Sequence, residues 1–226
     1  NSLILTKDGF KKTCLVYENG KIISIGDESL LEKCDEVIEL EEGKMLVPGF
    51  IDQHIHGAAG SDAMDGTIED LSKIACALAK EGTTAFLATT MTQSPENIDK
   101  ALTAVKEYIE SKPETGAEIL GVHLEGPFIS KDFIGAQPLE YVAAPNVEVF
   151  KHYEEVSGNN IKLVSMAVEV EGAEDLVSYL ASKGIVASIG HSNAKYADVE
   201  KAIKAGASNV THTYNAQKPI HHRSEE

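Results

Sequence analysis

The sequence has no tryptophan, only three cysteines, and 20 basic residues against 36 acidic ones. Its formal net charge of −16 argues against nucleic acid or an anionic membrane as a partner, because both need a basic face. No apolar run approaches the ~18 residues of a membrane-spanning helix, and the N-terminus lacks a secretory apolar segment. Three cysteines without C-x-x-C spacing argue against a disulfide framework, so we expect a reducing, cytoplasmic setting.

The remaining composition is that of an ordinary globular chain, with 42% hydrophobic and 25% charged residues among 226. Its first part contains short runs rich in β-branched residues, namely LILT, CLVYE, KIISI and EVIEL. An Asn-Gly pair between the second and third runs is a strong hairpin signal. We therefore expect a small β domain over residues 1–46, followed by a second domain over 47–226.

Strand-like and helix-like runs alternate through the rest of the chain. The helix-like runs cover residues 67–81, 95–111, 145–157, 173–183 and 194–205. The six strand-like runs cover residues 45–56, 83–90, 118–125, 161–169, 185–192 and 209–216. They are nearly continuous in apolar residues, as parallel strands covered on both faces are. This α/β alternation predicts a doubly wound sheet or a (β/α)8 barrel, and the absence of G-x-G-x-x-G argues against dinucleotide binding.

Histidines collect where the predicted strands end. Five of the eight occupy such positions: His54, His56, His123, His191 and His212. His54 and His56 are two apart on one strand and therefore share a face, and Glu125 ends another strand. In a barrel the carboxyl ends of the strands form one mouth. Imidazoles and a carboxylate gathered there predict a site for a divalent metal, Zn²⁺ or Fe²⁺.

Six segments together resemble the N-acetylglucosamine-6-phosphate deacetylase family of the amidohydrolase superfamily: PGFIDQHIHG, HLEGPFIS, GAQP, GHSNA, THTYNA and HHR. The resemblance extends over essentially the whole chain in order. It implies that residues 47–226 are a catalytic (β/α)8 TIM barrel of the metal-dependent hydrolase type, with about six of the eight strands in this chain. It implies that residues 1–46 are the N-terminal part of a small β-sandwich. It also implies hydrolysis of the acetamide of a phosphorylated amino sugar, with one or two divalent ions as cofactor.

The resemblance also implies roles for individual residues. Glu125, His191 and His212 resemble the ligands of the metal position that all members share. His54 and His56 resemble a pair that holds a second metal in some members, with Glu125 as the bridge. The implied substrate-binding residues are Ala136, Gln137, Asn215, Ala216 and Arg223, the last as a phosphate ligand. His221 and His222 are open to a phosphate-binding role or to being exposed loop residues, and His123 is expected to be structural.

Part of the family's pattern has no counterpart here. In the family an aspartate on a later strand transfers protons, and no residue of this chain matches it, because the sequence ends at Glu226, just after HHR. We therefore expect no catalytic acid/base residue in this chain and impaired activity, by ~10²–10⁴-fold. Open sheet edges favour a homo-oligomer. Two alternatives remain: another metal-dependent amidohydrolase, or an inactive metal-binding fragment.

Overall fold

The computed structural model describes residues 2–220 together with 222 and 223. The chain divides into two units, Asn1–Gly49 and Phe50–Glu226. The first unit is built on a four-stranded sheet of order β3-β2-β1-β4. Its strands are β1 (Ser2–Thr6), β2 (Gly9–Glu18), β3 (Lys21–Gly26) and β4 (Met45–Leu46). The predicted hairpin is confirmed, since Asn19 and Gly20 both have positive φ, as a two-residue turn between β2 and β3 requires.

One predicted strand of this unit is wrong. Residues 36–40, EVIEL, form no strand, and Val37 and Ile38 are 48% and 64% exposed. The fourth position in the sheet is taken by β4, which pairs in parallel with β1. The predicted run 45–56 is consequently two strands, because Pro48 and Gly49 interrupt it and proline cannot donate to a sheet ladder.

The second unit alternates strands and helices. It contains β5 (Phe50–Ile55), a small hairpin of β6 (Gly57–Ala58) and β7 (Ser61–Asp62), α1 (Ile68–Lys80), β8 (Thr83–Thr89), α2 (Pro95–Ser111), β9 (Glu118–Glu125), α3 (Val147–Val156), β10 (Ile161–Met166), α4 (Ala173–Ser182), β11 (Val186–Ile189), α5 (Tyr196–Ala205) and β12 (Asn209–Val210).

Six of these strands form one curled parallel sheet of order β12-β11-β10-β9-β8-β5. Each strand lies beside the next one along the chain, which is the strand order of a (β/α)8 barrel and not of a doubly wound sheet. The sheet is therefore a partial TIM barrel, as the resemblance implied. Within the described residues, the parallel order brings the carboxyl ends of all six strands to the same end of the sheet.

The core of this unit lies between the sheet and its helices. The apolar faces of α1 and α2 bury Leu71, Ile74, Ile98 and Leu102 completely or nearly so. Facing strand residues such as Phe86 complete the packing. The three cysteines are free. None of the helices in the described part of the chain is long and apolar enough to cross a membrane.

Candidate metal centre

The carboxylate of Glu125, at the end of β9, lies at the centre of the predicted ligands. It is 2% exposed. Its Oε2 lies 3.0 Å from His56 Nε2 and 3.5 Å from His54 Nε2, both on or just after β5. Its Oε1 lies 3.1 Å from His212 Nε2 and 3.3 Å from His191 Nε2, which follow β12 and β11. All five predicted metal ligands thus meet around one carboxylate.

These five side chains form two groups that share Glu125. One group is His54, His56 and Glu125, and the other is Glu125, His191 and His212. In each group the potential ligand atoms lie within 4.8 Å of one another. Because the two oxygens of the carboxylate face different groups, Glu125 is placed to bridge two ions.

Backbone hydrogen bonds fix the tautomers of the two histidines in the second group. His191 Nδ1 lies 2.8 Å from the carbonyl oxygen of Phe133, and His212 Nδ1 lies 2.9 Å from that of Asn215. A carbonyl oxygen only accepts, so each Nδ1 carries a hydrogen, and each Nε2 of a neutral ring is an acceptor. The two Nε2 atoms are 3.2 Å apart and both face Glu125. Acceptors that converge in this way can hold a cation, and the donor set suits Zn²⁺ or Fe²⁺.

Ionisation in the cluster follows the same logic. Burial would raise the pKa of Glu125, but hydrogen bonds with His191, His54 and His56 outweigh it and hold this pKa well below its usual range. Burial opposes charge on His191 and His56 as well, yet the carboxylate of Glu125 raises the pKa of both imidazoles. The carboxylate is therefore ionised, and the site favours positive charge beside it.

The backbone after β11 and β12 is unusual where it carries ligands. His191 has φ of 48° and His212 has φ of 30°, in the left-handed region that residues with a side chain rarely adopt. Tyr214 and Ala216 in the same loop also have positive φ. Conformations of this kind cost about 1–3 kcal/mol each and concentrate at functional sites.

The structure places the predicted substrate residues unevenly. Asn215 and Ala216 lie in the loop of His212, and the carbonyl oxygen of Ala216 accepts from Ser192 N at 3.1 Å. Ala136 is exposed, and so are His222 and Arg223. His221 lies outside the described residues. The roles of all these residues in substrate binding remain predictions.

Gln137 differs from the other predicted substrate residues because it is 4% exposed and in contact with the ligand cluster. Its Nε2 donates to Glu125 Oε2 at 3.2 Å. Its Oε1 accepts from the backbone N–H of Thr92 at 2.6 Å. Each end of the amide therefore has a protein partner.

The threonines that end β8 were not singled out from the sequence, although they support the cluster. Thr89 Oγ1 accepts from the N–H of Ile55, and Thr90 Oγ1 accepts from the N–H of Glu125, at 3.0 and 3.2 Å. The signal for them was a pair of threonines at the carboxyl end of a buried strand. Barrel enzymes place their sites at that end of the strands.

The comparisons with known proteins agree with this geometry. The model of the amidohydrolase family matches residues 45–224, and the chain belongs to that family. Its similarity to curated relatives is more specific. It is 40% identical over 224 residues to the N-acetylglucosamine-6-phosphate deacetylase of Bacillus subtilis (strain 168), which covers 98% of this chain and 57% of that protein.

Solved structures show the same relationship. The N-acetylglucosamine-6-phosphate deacetylase of Thermotoga maritima is 34% identical with a TM-score of 0.81, over 98% of this chain and 56% of that one. A mutant of the Mycobacterium smegmatis deacetylase, solved in complex with N-acetyl-D-glucosamine-6-phosphate, is 26% identical with a TM-score of 0.82, over 98% and 56% of the two chains. The chain thus spans little more than half the length of these relatives.

Proposed function

We propose that this chain carries the metal site of an N-acetylglucosamine-6-phosphate deacetylase. The reaction is hydrolysis of the acetamide: water oxygen bonds to the acetyl carbon, the carbon–nitrogen bond breaks, and the amine takes a proton. Its products are glucosamine 6-phosphate and acetate. The observation that carries the proposal is the convergence of four imidazole nitrogens on the two oxygens of Glu125. Membership of the amidohydrolase family supports it.

The residues of the cluster divide the work between them. Glu125, His191 and His212 would hold one divalent ion, Zn²⁺ or Fe²⁺, and the pair His54 and His56 would hold a second together with Glu125. When bound, such an ion supplies a Lewis acid and lowers the pKa of a coordinated water towards ~7. Because backbone carbonyl groups fix the Nδ1 atoms of His191 and His212, their rings need no reorientation to bind.

Recognition of the sugar phosphate is assigned by resemblance to the residues after β9 and β12. We assign Ala136, Asn215 and Ala216 to the sugar, and Arg223 to the phosphate, which its forked guanidinium suits. Proton transfer in the family belongs to an aspartate with no counterpart among these 226 residues. We further propose that the protein acts in the cytoplasm.

The test is a binding and turnover assay on the purified chain loaded with Zn²⁺ or Fe²⁺. We expect it to bind N-acetylglucosamine 6-phosphate more tightly than N-acetylglucosamine, by about 10–100-fold, because a hydrogen-bonded charge is worth about 1.5–3 kcal/mol. Arg223→Ala should remove this preference. Lys201→Ala, which removes a positive charge from the exposed face of α5, is the matched control and should keep it.

Turnover is measured as released acetate. We expect release to require the metal. Because none of these 226 residues matches the family's aspartate, we expect release by them to be slower than in an ordinary deacetylase by ~10²–10⁴-fold. Metal-independent release, or equal binding of the two sugars, would show that the proposed function is wrong. Turnover at an ordinary rate would instead refute the expected impairment.

A further inference from the structure

The side-chain amide of Gln137 is buried and is hydrogen-bonded at both ends. Glutamine side chains are mostly exposed in folded proteins, so an exposure of 4% needs an explanation. The backbone N–H of Thr92 only donates, which identifies its partner as the amide oxygen, at 2.6 Å. The other end is then the NH₂ group, and it donates to the ionised Glu125. Hydrogen bonds to a charged group are the stronger kind.

The bond from Gln137 reaches one particular oxygen of Glu125. It ends on Oε2, the oxygen that faces His54 and His56, at 3.2 Å. The terminal torsion of a glutamate side chain has a broad minimum, so the carboxylate plane is fixed mainly by its partners. Gln137 therefore sets the angle at which Oε2 meets these two imidazoles.

The backbone around Glu125 is tied to the same segment. The N–H of Glu125 donates to Thr90 Oγ1, and the following residue, Gly126, has φ of 76°. A Cβ atom at Gly126 would overlap the hydroxyl group of Thr92. Only glycine therefore lets the chain after Glu125 lie this close to the residues that follow β8.

We infer that Gln137 is a positioning residue for the proposed metal ligand Glu125. It ties the carboxylate of Glu125 to the backbone at Thr92 and directs Oε2 towards the group of His54 and His56. This inference rests on the proposed metal-dependent function. It adds a second role to the sequence-based expectation that Gln137 binds the sugar, since the NH₂ group of the amide carries two hydrogens.

The inference is tested by metal affinity. Gln137→Met keeps the length of the side chain and removes both hydrogen bonds. We expect the dissociation constant for Zn²⁺, measured by competition with a chelator, to rise by about 10–100-fold, as it does when partners of metal ligands are removed. Gln93→Met is the matched control, because Gln93 is half-buried in the loop after β8, next to Thr92, and its amide oxygen accepts from Ser94 and Asn97. Its affinity should equal that of the parent chain.

A second variant and a second background sharpen the test. Gln137→Asn keeps a buried amide that is too short to span Thr92 and Glu125, and it should weaken metal binding as Gln137→Met does. In a His56→Ala background the group of His54, His56 and Glu125 has already lost one potential ligand. There Gln137→Met should lower the affinity of the remaining ion by a smaller factor than in the parent chain.

Three results would overturn the inference. One is an unchanged Zn²⁺ affinity in Gln137→Met and Gln137→Asn when both variants are folded. If these variants then bind N-acetylglucosamine 6-phosphate more weakly at saturating metal, Gln137 acts as a substrate contact and not through Glu125. Another is an equal loss in Gln93→Met, which would indicate a general effect on the loop. The third is an undiminished effect in the His56→Ala background. A parent chain that binds no divalent ion would instead refute the proposed function itself.

Discussion

A chain of buried hydrogen bonds runs beneath the metal ligands, and every bond in it has a defined direction. His123 Nδ1 donates to the carbonyl oxygen of Gln53 at 3.1 Å, so in the neutral ring Nε2 must accept, and Ser165 Oγ donates to it at 2.6 Å. Burial, followed by the nearby charge of His54, lowers the pKa of His123 to about 3, which keeps the ring neutral.

The direction of the remaining bonds follows from that neutral ring. The hydroxyl group of Ser165 donates its one hydrogen bond to His123, so its oxygen accepts from Thr211 Oγ1 at 2.5 Å. The oxygen of Thr211 accepts in turn from Ser188 Oγ at 2.6 Å. The ring of His123 lies edge-on to that of His54, with centroids 4.7 Å apart. The hydroxyl groups therefore fix a ring that supports one of the proposed ligands.

A serine in the middle of this chain should matter more than the one at its end. Ser165→Ala leaves His123 Nε2 without its donor and the hydroxyl hydrogen of Thr211 without its acceptor, and we expect a loss of about 1–3 kcal/mol in the free energy of unfolding. Ser188→Ala removes only the terminal donor and should have a smaller effect. Urea unfolding of the two variants measures this difference, and equal losses would contradict the central place of Ser165 in this chain.

At the residue scale, the sequence singled out the candidate ligands but not the hydroxyl groups beneath them. The pattern H-x-H and the strand-end positions of Glu125 and His191 are local, so they could be identified without a structure. Ser165 and Ser188 are small polar residues within apolar strands, and their partners lie on other strands. Which hydroxyl groups meet depends on the curl and register of the whole sheet, and no local pattern contains that information.

Among the elements, helices were predicted more accurately than strands. The run 95–111 is confirmed without change as α2, because Ser94 caps it and Pro95 begins it. The expected run 209–216 contains only two strand residues, those of β12, before the backbone turns with positive φ at His212. Helix ends are set by neighbouring residues, whereas strand ends depend on partners that are distant in sequence.

The start of α1 is held by a network around Asp70. Thr67 Oγ1 accepts from the N–H of Asp70 and donates to its Oδ2, at 3.1 and 2.7 Å. Ser61 Oγ and Lys73 Nζ both donate to Oδ1, at 2.8 and 2.9 Å. These bonds, that of Lys73 foremost, hold the pKa of Asp70 well below its usual range.

The lowered pKa makes the contribution of Asp70 to stability depend on pH. A carboxyl group with a lower pKa in the folded state stabilises the protein above its unfolded pKa of about 3.9, and this stabilisation is lost as the pH falls below that value. Asp70→Asn should therefore be less stable than the parent chain at pH 7, with the difference shrinking below about pH 4.

Urea unfolding of both proteins from pH 7 to pH 3 measures this dependence. Glu69→Gln is the control, since Glu69 is an exposed carboxylate on the same turn, and its difference from the parent chain at pH 7 should be smaller than that of Asp70→Asn. A difference for Asp70→Asn that stays constant with pH would show that its ionised form is not what stabilises the start of α1.

At the scale of the whole molecule, the sheet has two edges among the described strands, β5 and β12. The alternation of strands and helices predicted a parallel sheet but left a doubly wound order open, and the resemblance implied the barrel order that the structure has. A second copy of the chain would cover β5 or β12, and the structure describes one copy. The expected homo-oligomer therefore remains a prediction. The most apolar edge is that of β5, where Phe50 and Ile51 are 64% and 66% exposed.

Such an edge favours pairing with another chain, because its backbone groups and apolar side chains are both available. We expect the purified chain to associate with itself as its concentration rises, and Ile51→Lys to reduce the association, since lysine on an edge opposes pairing. Ile203→Lys is the matched control, because Ile203 is 59% exposed on α5, away from the sheet edge. Light scattering over a concentration series measures the mass. A monomer at every concentration, or an equal reduction by Ile203→Lys, would show that the β5 edge does not drive assembly.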